Sequence, residues 1–224
     1  MAVDSPWRVA MPRVWCWAPL CVIGAIGCGQ PAAPVESLEG PAIVLRPSSV
    51  GLDAIGDRAQ VVATVVDDSG KAVPDAPISW QSGDPTVATV TGGLVIAVRN
   101  GTTFVRARSD TLEAALRVEV RQVGSVLFKV SGDVQDGVVG EPLTGALVAR
   151  VDDKFGHPVG DVTVYFRVVS GGGTLSLESP KTGATGRAST RWTLGPVEGS
   201  QFVAASLTPG AVTPALYNAF ARVR

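Results

Sequence analysis

From Ala42 onward the chain is built of short apolar runs rich in Val, Thr and Ala, broken every eight to twelve residues by clusters of Gly, Pro, Asp and Ser. The runs alternate with a period of two. In "QVVATVVDD" Val61, Ala63 and Val65 fall on one face, and in "GTTFVRARS" Val105 and Ala107 oppose Arg106 and Arg108. Such alternation predicts half-buried strands, and no stretch fits a helical period. Seven strand candidates precede residue 122: "AIVLRP", "QVVATVV", "PISWQS", "TVATV", "GLVIAV", "TFVRARS" and "LEAALRVEV". Seven more follow: "SVLFKVSG", "ALVARVD", "VTVYFRVV", "GTLSLES", "RASTRWTL", "QFVAASL" and "LYNAFARV". Seven antiparallel strands in each of two segments of under about 105 residues predict an all-β chain of two tandem immunoglobulin-like Greek-key β-sandwiches. Trp80 and Trp192 are the expected large core fillers.

An internal repeat divides the chain. Residues 63–80, "ATVVDDSGKAVPDAPISW", align without gaps on residues 149–166, "ARVDDKFGHPVGDVTVYF", with six identities in 18 positions and Trp80 opposite Phe166. The shared residues have structural meaning: Ala63/Ala149 and Val65/Val151 point inward, and Asp67/Asp153 with Gly70/Gly156 bracket a turn. A later echo, "GTTFVRA" from Gly101 and "GSQFVAA" from Gly199, has a larger offset. The extra residues of the second copy are best accommodated in the glycine-rich "SGGGTLSLESPKTGATG". The expected organisation is a signal peptide at 1–27, a linker at 28–40 and Ig-like domains at 41–121 and 122–224.

The N-terminal part reads as an export signal. Arg13 precedes a nearly uncharged apolar stretch, Val14 to Ile26. Its 13 residues fall short of the roughly 17 to 25 needed for a spanning helix. Asp4 suits a signal poorly, so translation is expected to start at Met11. The run ends in Ala25-Ile26-Gly27-Cys28, which resembles the bacterial lipobox, with Ala25 where Leu is usual. That resemblance implies lipidation of Cys28 and a membrane partner reached through the lipid, and more than one acyl chain gives stable anchoring. "GQPAAPVESLEGP" after it has a tether's composition and reaches roughly 40 Å if extended.

All three cysteines, Cys16, Cys21 and Cys28, lie ahead of the predicted domains, which argues against a disulfide framework or a zinc site. The net charge of −1 with mixed signs gives no footprint for nucleic acid. "VVATVVDDSGKAVPDAPISWQSGDPTVATVTGGLVIAVRNGTTFVRARS" resembles the bacterial Ig-like group 2 domain. "VDDKFGHPVGDVTVYFRVVSGGGTLS" with "GRASTRWTLG" resembles the group 1 domain of invasin and intimin stalks, with His157 at the usual turn asparagine. The resemblance implies spacers, adhesin stalks and carbohydrate- or cell-binding modules at bacterial surfaces.

Motifs for catalysis are missing from the sequence: it contains no H-E-x-x-H, G-x-S-x-G, G-x-x-x-x-G-K or C-x-x-C, so no catalytic residue and no cofactor is expected. His157 beside Pro158 reads as a solvated turn residue. Asp67 and Asp153, in the acidic pairs Asp67-Asp68 and Asp152-Asp153, are candidate calcium ligands, although two adjacent carboxylates fall short of the six to eight oxygens calcium takes, and both suit acceptors in D-x-x-G turns. Phe104, Arg106 and Arg108 form a candidate binding row for an acidic glycan or a surface protein, with Arg117 and Arg121 extending a basic stripe. Outward charges also protect sheets from unwanted pairing. The sequence therefore predicts an exported, membrane-anchored lipoprotein at the outer membrane or cell surface, acting as a non-catalytic interaction, adhesion or spacer module. A periplasm-facing polysaccharide-binding or envelope-complex component is the alternative. Because the chain ends at Arg224 after its last strand, any ligand is expected to meet the Ig-like domains themselves.

Overall fold

A computed structural model of the chain describes residues 40–224, all strands and turns without a helix. The signal at 1–27, the start at Met11, Cys28 and nearly all of the linker lie outside the described residues.

The first sandwich contains β1 (Ala42–Arg46), β2 (Ser49–Leu52), β3 (Arg58–Gln60), β4 (Val62–Val66), β5 (Ser79–Ser82), β6 (Ala88–Thr91), β7 (Leu94–Ala97), β8 (Gly101–Ser109) and β9 (Leu112–Val120). One sheet has the order β2-β9-β8-β5, and a facing layer is formed by β3-β7-β6 and the pair β1-β4. The second contains β10 (Val126–Ser131), β11 (Gln135–Val138), β12 (Leu147–Asp152), β13 (Tyr165–Ser170), β14 (Gly173–Leu175), β15 (Arg187–Thr190), β16 (Trp192–Leu194), β17 (Gly199–Ser206) and β18 (Ala215–Arg222). Here β11-β18-β17-β13 faces β10-β12-β15, and β14 pairs β16. No sheet mixes strands of the two halves.

Each core follows from the period-two pattern. Val50, Leu52, Val95, Val105, Leu116 and Val118 are buried between the sheets of the first half. Leu147, Val151, Phe166, Trp192, Val203 and Tyr217 do the same in the second. Trp192 is fully buried and Trp80 partly so, against the first core. Burying one such side chain contributes roughly 1.5–3 kcal/mol.

The expectation of purely antiparallel pairing needs correcting. β2 pairs in parallel with β9, and β11 in parallel with β18. In both halves the first strand is broken so that its start joins one sheet and its continuation joins the other. "SVGL" and "QDGV" are short and interrupted by Gly; the first alternates, with Val50 and Leu52 buried, and the second does not. A second correction concerns "RASTRWTL", which divides at Arg191: β15 pairs β12, whereas β16 pairs β14. The strand thus changes partners, and only one side of its alternation reports on each sheet.

Candidate functional site

The D-x-x-G turns are built alike. Asp67 Oδ1 accepts from Ser69 N at 2.9 Å and Lys71 N at 3.0 Å. Asp153 Oδ1 accepts from Phe155 N at 2.9 Å and His157 N at 3.0 Å. Gly70 and Gly156 close the turns with positive φ, where a side chain would be strained. The surroundings differ: Asp67 lies on an exposed turn, whereas the Asp153 side chain is 0% exposed. Its second oxygen reaches across to the first half, where Oδ2 accepts from Ile55 N at 3.0 Å and Gln122 Nε2 at 2.9 Å.

Asp153 is therefore the centre of a joint between the two sandwiches. The connecting residues are tied to both sides. Arg121 N donates to Leu52 O at 2.9 Å, Val123 N to Asp53 O at 2.8 Å, and Ser125 N to Asp152 O at 2.8 Å. Asn100 holds Gln122 twice, accepting from its N at 2.7 Å and donating to its Oε1 at 3.0 Å. Lys154 then bridges back to Asp53 at 2.6 Å and Asp57 at 2.8 Å. Gly124 packs so closely on the second core that a Cβ there would meet Val151 Cγ1 at 2.6 Å.

The electrostatics of the joint follow from these contacts. Burial alone would raise the Asp153 carboxyl, but hydrogen bonds from Gln122, His157, Ile55 and Phe155 outweigh it and hold the group at about 2. Lys154 is raised, first by its bond to Asp53 and then by that to Asp57, and Asp57 is lowered chiefly by its bond from Lys154. Each charge is thus stabilised in the form that closes the joint.

The predicted surface row occupies the outer face of β2-β9-β8-β5. Phe104 is 51% exposed, and its register partner is Arg117. The basic stripe is partly paired. Arg106 and Arg108 both pair with Glu113, at 3.2 and 2.7 Å, and Arg117 pairs with Glu119 at 3.0 Å. Alternation brought the acids of β9 onto the same face as the arginines of β8, and Glu113 and Glu119 offset two of the three arginine charges. The calcium candidates Asp67 and Asp153 occupy separate turns, and no group of three or more His, Cys, Asp or Glu suited to a metal exists among the described residues. His157 is half exposed, with Nδ1 3.5 Å from Asp153 Oδ1.

Sequence reading missed Gln122, Asn100 and Lys154 as parts of the joint. Asp153 was visible through the repeat, but its partners include a main-chain N–H, which leaves no mark in the residue pattern. Also overlooked is the buried Gln201, whose amide is satisfied by Gly195 N, Gly195 O and Val197 O at 2.8, 3.2 and 2.7 Å.

Neither a family model nor a curated protein matches the chain. Among solved structures it is similar to the Yersinia pseudotuberculosis adhesin InvE, at 16% identity over 82% of this chain and 59% of that one, with a TM-score of 0.41. The Escherichia coli adhesin FdeC is 17% identical over 80% of this chain and 63% of its own, with a TM-score of 0.42. Domains 5 and 6 of the S-layer protein SbsC are 18% identical over 81% of this chain and 98% of theirs, with a TM-score of 0.34.

Proposed function

We propose that this chain is an exported, membrane-tethered lipoprotein whose two Ig-like sandwiches form one stiff, non-catalytic arm for surface interaction, adhesion or spacing. The observation that carries the reading is the Asp153 joint. A flexible connector would leave its backbone groups to water, whereas here Arg121, Val123 and Ser125 all donate across or along the junction. The buried Asp153 carboxylate joins both halves. Such a connector resists bending because any opening exchanges these hydrogen bonds for bonds to water, at a net cost of about 0.5–1.5 kcal/mol for each one.

In this reading the first half is group 2-like and the second group 1-like, and both are held off the membrane by the linker after a lipidated Cys28. Interaction surfaces then lie on the outer sheet faces and strand-end loops, which a rigid scaffold positions. The test is localisation together with anchoring. Cys28→Ser is expected to abolish incorporation of labelled fatty acid and release the protein from membranes. Protease added to intact cells is expected to degrade the wild-type chain. Protection in intact cells with loss after lysis would instead assign the arm to the periplasm, and unchanged labelling of Cys28→Ser would remove the lipid anchor from the account.

A further inference from the structure

The outer face of β11-β18-β17-β13 carries a groove of about 570 Å³, within the roughly 300–1,000 Å³ range of small-ligand sites. Its base is set by strand alternation. Tyr165 and Arg167 of β13 stand in register with Ser206 and Ala204 of β17, pointing away from the core that receives Phe166 and Val203. One flank is the segment that carries Leu175 and Glu178. It is fixed along the edge of β13 because Phe166 N donates to Glu178 O at 2.7 Å and Val164 N to Pro180 O at 2.9 Å. The other flank is the β17–β18 turn with Pro209 and Pro214, tightened by Ser206 Oγ donating to Thr208 O at 2.8 Å.

The groove's two charged side chains are unused. Arg167 and Glu178 make no ion pair within 4.0 Å and no side-chain hydrogen bond among the described residues. Elsewhere in the same half Arg150, Lys181 and Arg222 have acidic partners, whereas the exposed Arg187 and Arg191 have none within 4.0 Å among the described residues. Arg167 therefore offers guanidinium donors, and Glu178 offers acceptor oxygens, to whatever enters. Their charges cancel, which favours no net charge on the ligand. Tyr165, Leu175 and the prolines add apolar surface between these polar ends.

We propose that this groove binds a neutral oligosaccharide. A pyranose unit combines what the lining requires: hydroxyls that donate and accept within one small ring, and C–H faces that pack on an aromatic ring. An added peptide strand fits less well, because the β13 edge at Val164 and Phe166 already gives its N–H groups to residues 178–180. Nucleic acid would need a run of cations rather than one arginine opposed by a glutamate. The site assigns a ligand class to the interaction role proposed above and rests on that role for its biological sense, although binding itself needs neither export nor the anchor.

The experiment uses detergent-purified full-length protein with three neutral trisaccharides, cellotriose, maltotriose and N-acetylchitotriose, measured by calorimetry and by amide hydrogen exchange. At least one is expected to bind and to slow exchange in residues 165–168 and 173–179. Arg167→Ala and Glu178→Gln are each expected to weaken it about tenfold, with Arg191→Ala, an exposed charge of the same half outside the groove, unchanged. Both groove residues are exposed, and a wild-type melting curve for each variant keeps loss of binding separate from misfolding. Absence of binding by all three at about 10 mM, protection outside the groove, or affinity unaffected by both variants would overturn the proposal. Tighter binding of trigalacturonate or of an extended peptide would also overturn it. None of these failures would touch the localisation result, so the site and the broader role fall separately.

Discussion

Replacing Asp153 by Asn separates the turn from the joint with almost no change in shape. One side-chain oxygen remains to accept from Phe155 N and His157 N, as Oδ1 does now at 2.9 and 3.0 Å. The new amide group then faces Ile55 N and Gln122 Nε2, which donate to Oδ2 at 3.0 and 2.9 Å. Donor meets donor on the side of the first sandwich. The magnitude follows from the carboxyl being held at about 2 against an ordinary value near 3.9. A gap of about two units corresponds to about 2–3 kcal/mol in favour of the ionised, folded state. Because the folded value is depressed, this stabilisation is fully present above about pH 4 and is lost as pH falls from about 4 towards 2. Urea unfolding of the wild type and Asp153→Asn at a series of pH values reads both quantities. The variant is expected to be about 2–3 kcal/mol less stable at pH 7, with the difference shrinking to near zero at pH 2. Asp67→Asn, in the matching exposed turn, is the control that should leave the joint intact. Equal stability of wild type and Asp153→Asn at pH 7, or a difference that does not depend on pH, would refute the assignment of Asp153 as the joint's centre.

Other consequences follow from packing and charge. Gly124→Ala forces a methyl against Val151 Cγ1, which a Cβ would meet at 2.6 Å, and should cost about 1–3 kcal/mol in denaturant midpoint measurements. The Trp192 indole nitrogen is buried without a hydrogen-bond partner among the described residues. Trp192→Phe removes that stranded donor and should therefore cost well under the about 3–5 kcal/mol expected for Trp192→Ala, as thermal unfolding can test. Glu113→Ala frees Arg106 and Arg108 on an exposed sheet face; stability should change by less than about 1 kcal/mol, while retention on an anionic column increases.

Alternation was enough to place Val65, Val105, Ala107 and Val151 in the cores, because a half-buried strand leaves a period-two mark on its own residues. The breaks in the first strand of each half were not legible. "SVGL" alternates and "QDGV" does not, but neither pattern reports pairing direction, and their parallel pairing to β9 and β18 depends on where the chain crosses between sheets. The surface row illustrates another limit. Arg106 and Arg108 were correctly placed on an outer face, yet their shared pairing with Glu113 depends on the register between β8 and β9, since Arg108 stands opposite Glu113. The joint shows both sides: the repeat singled out Asp153, while Ile55 contributes only its main-chain N–H and could have been any non-proline residue. The groove went unnoticed because Arg167, Glu178 and Pro209 come from three separated segments joined only by the fold.

The claim that the two sandwiches form one stiff arm is tested most directly by the distance distribution between spin labels at the exposed Val62 in the first half and Val169 in the second, 55% and 46% exposed. The measurement is made by pulsed electron resonance in a chain whose native cysteines are replaced by serine. The account predicts a single narrow distance at pH 7 that broadens in Asp153→Asn. A broad or multimodal distribution in the unmutated joint would contradict it.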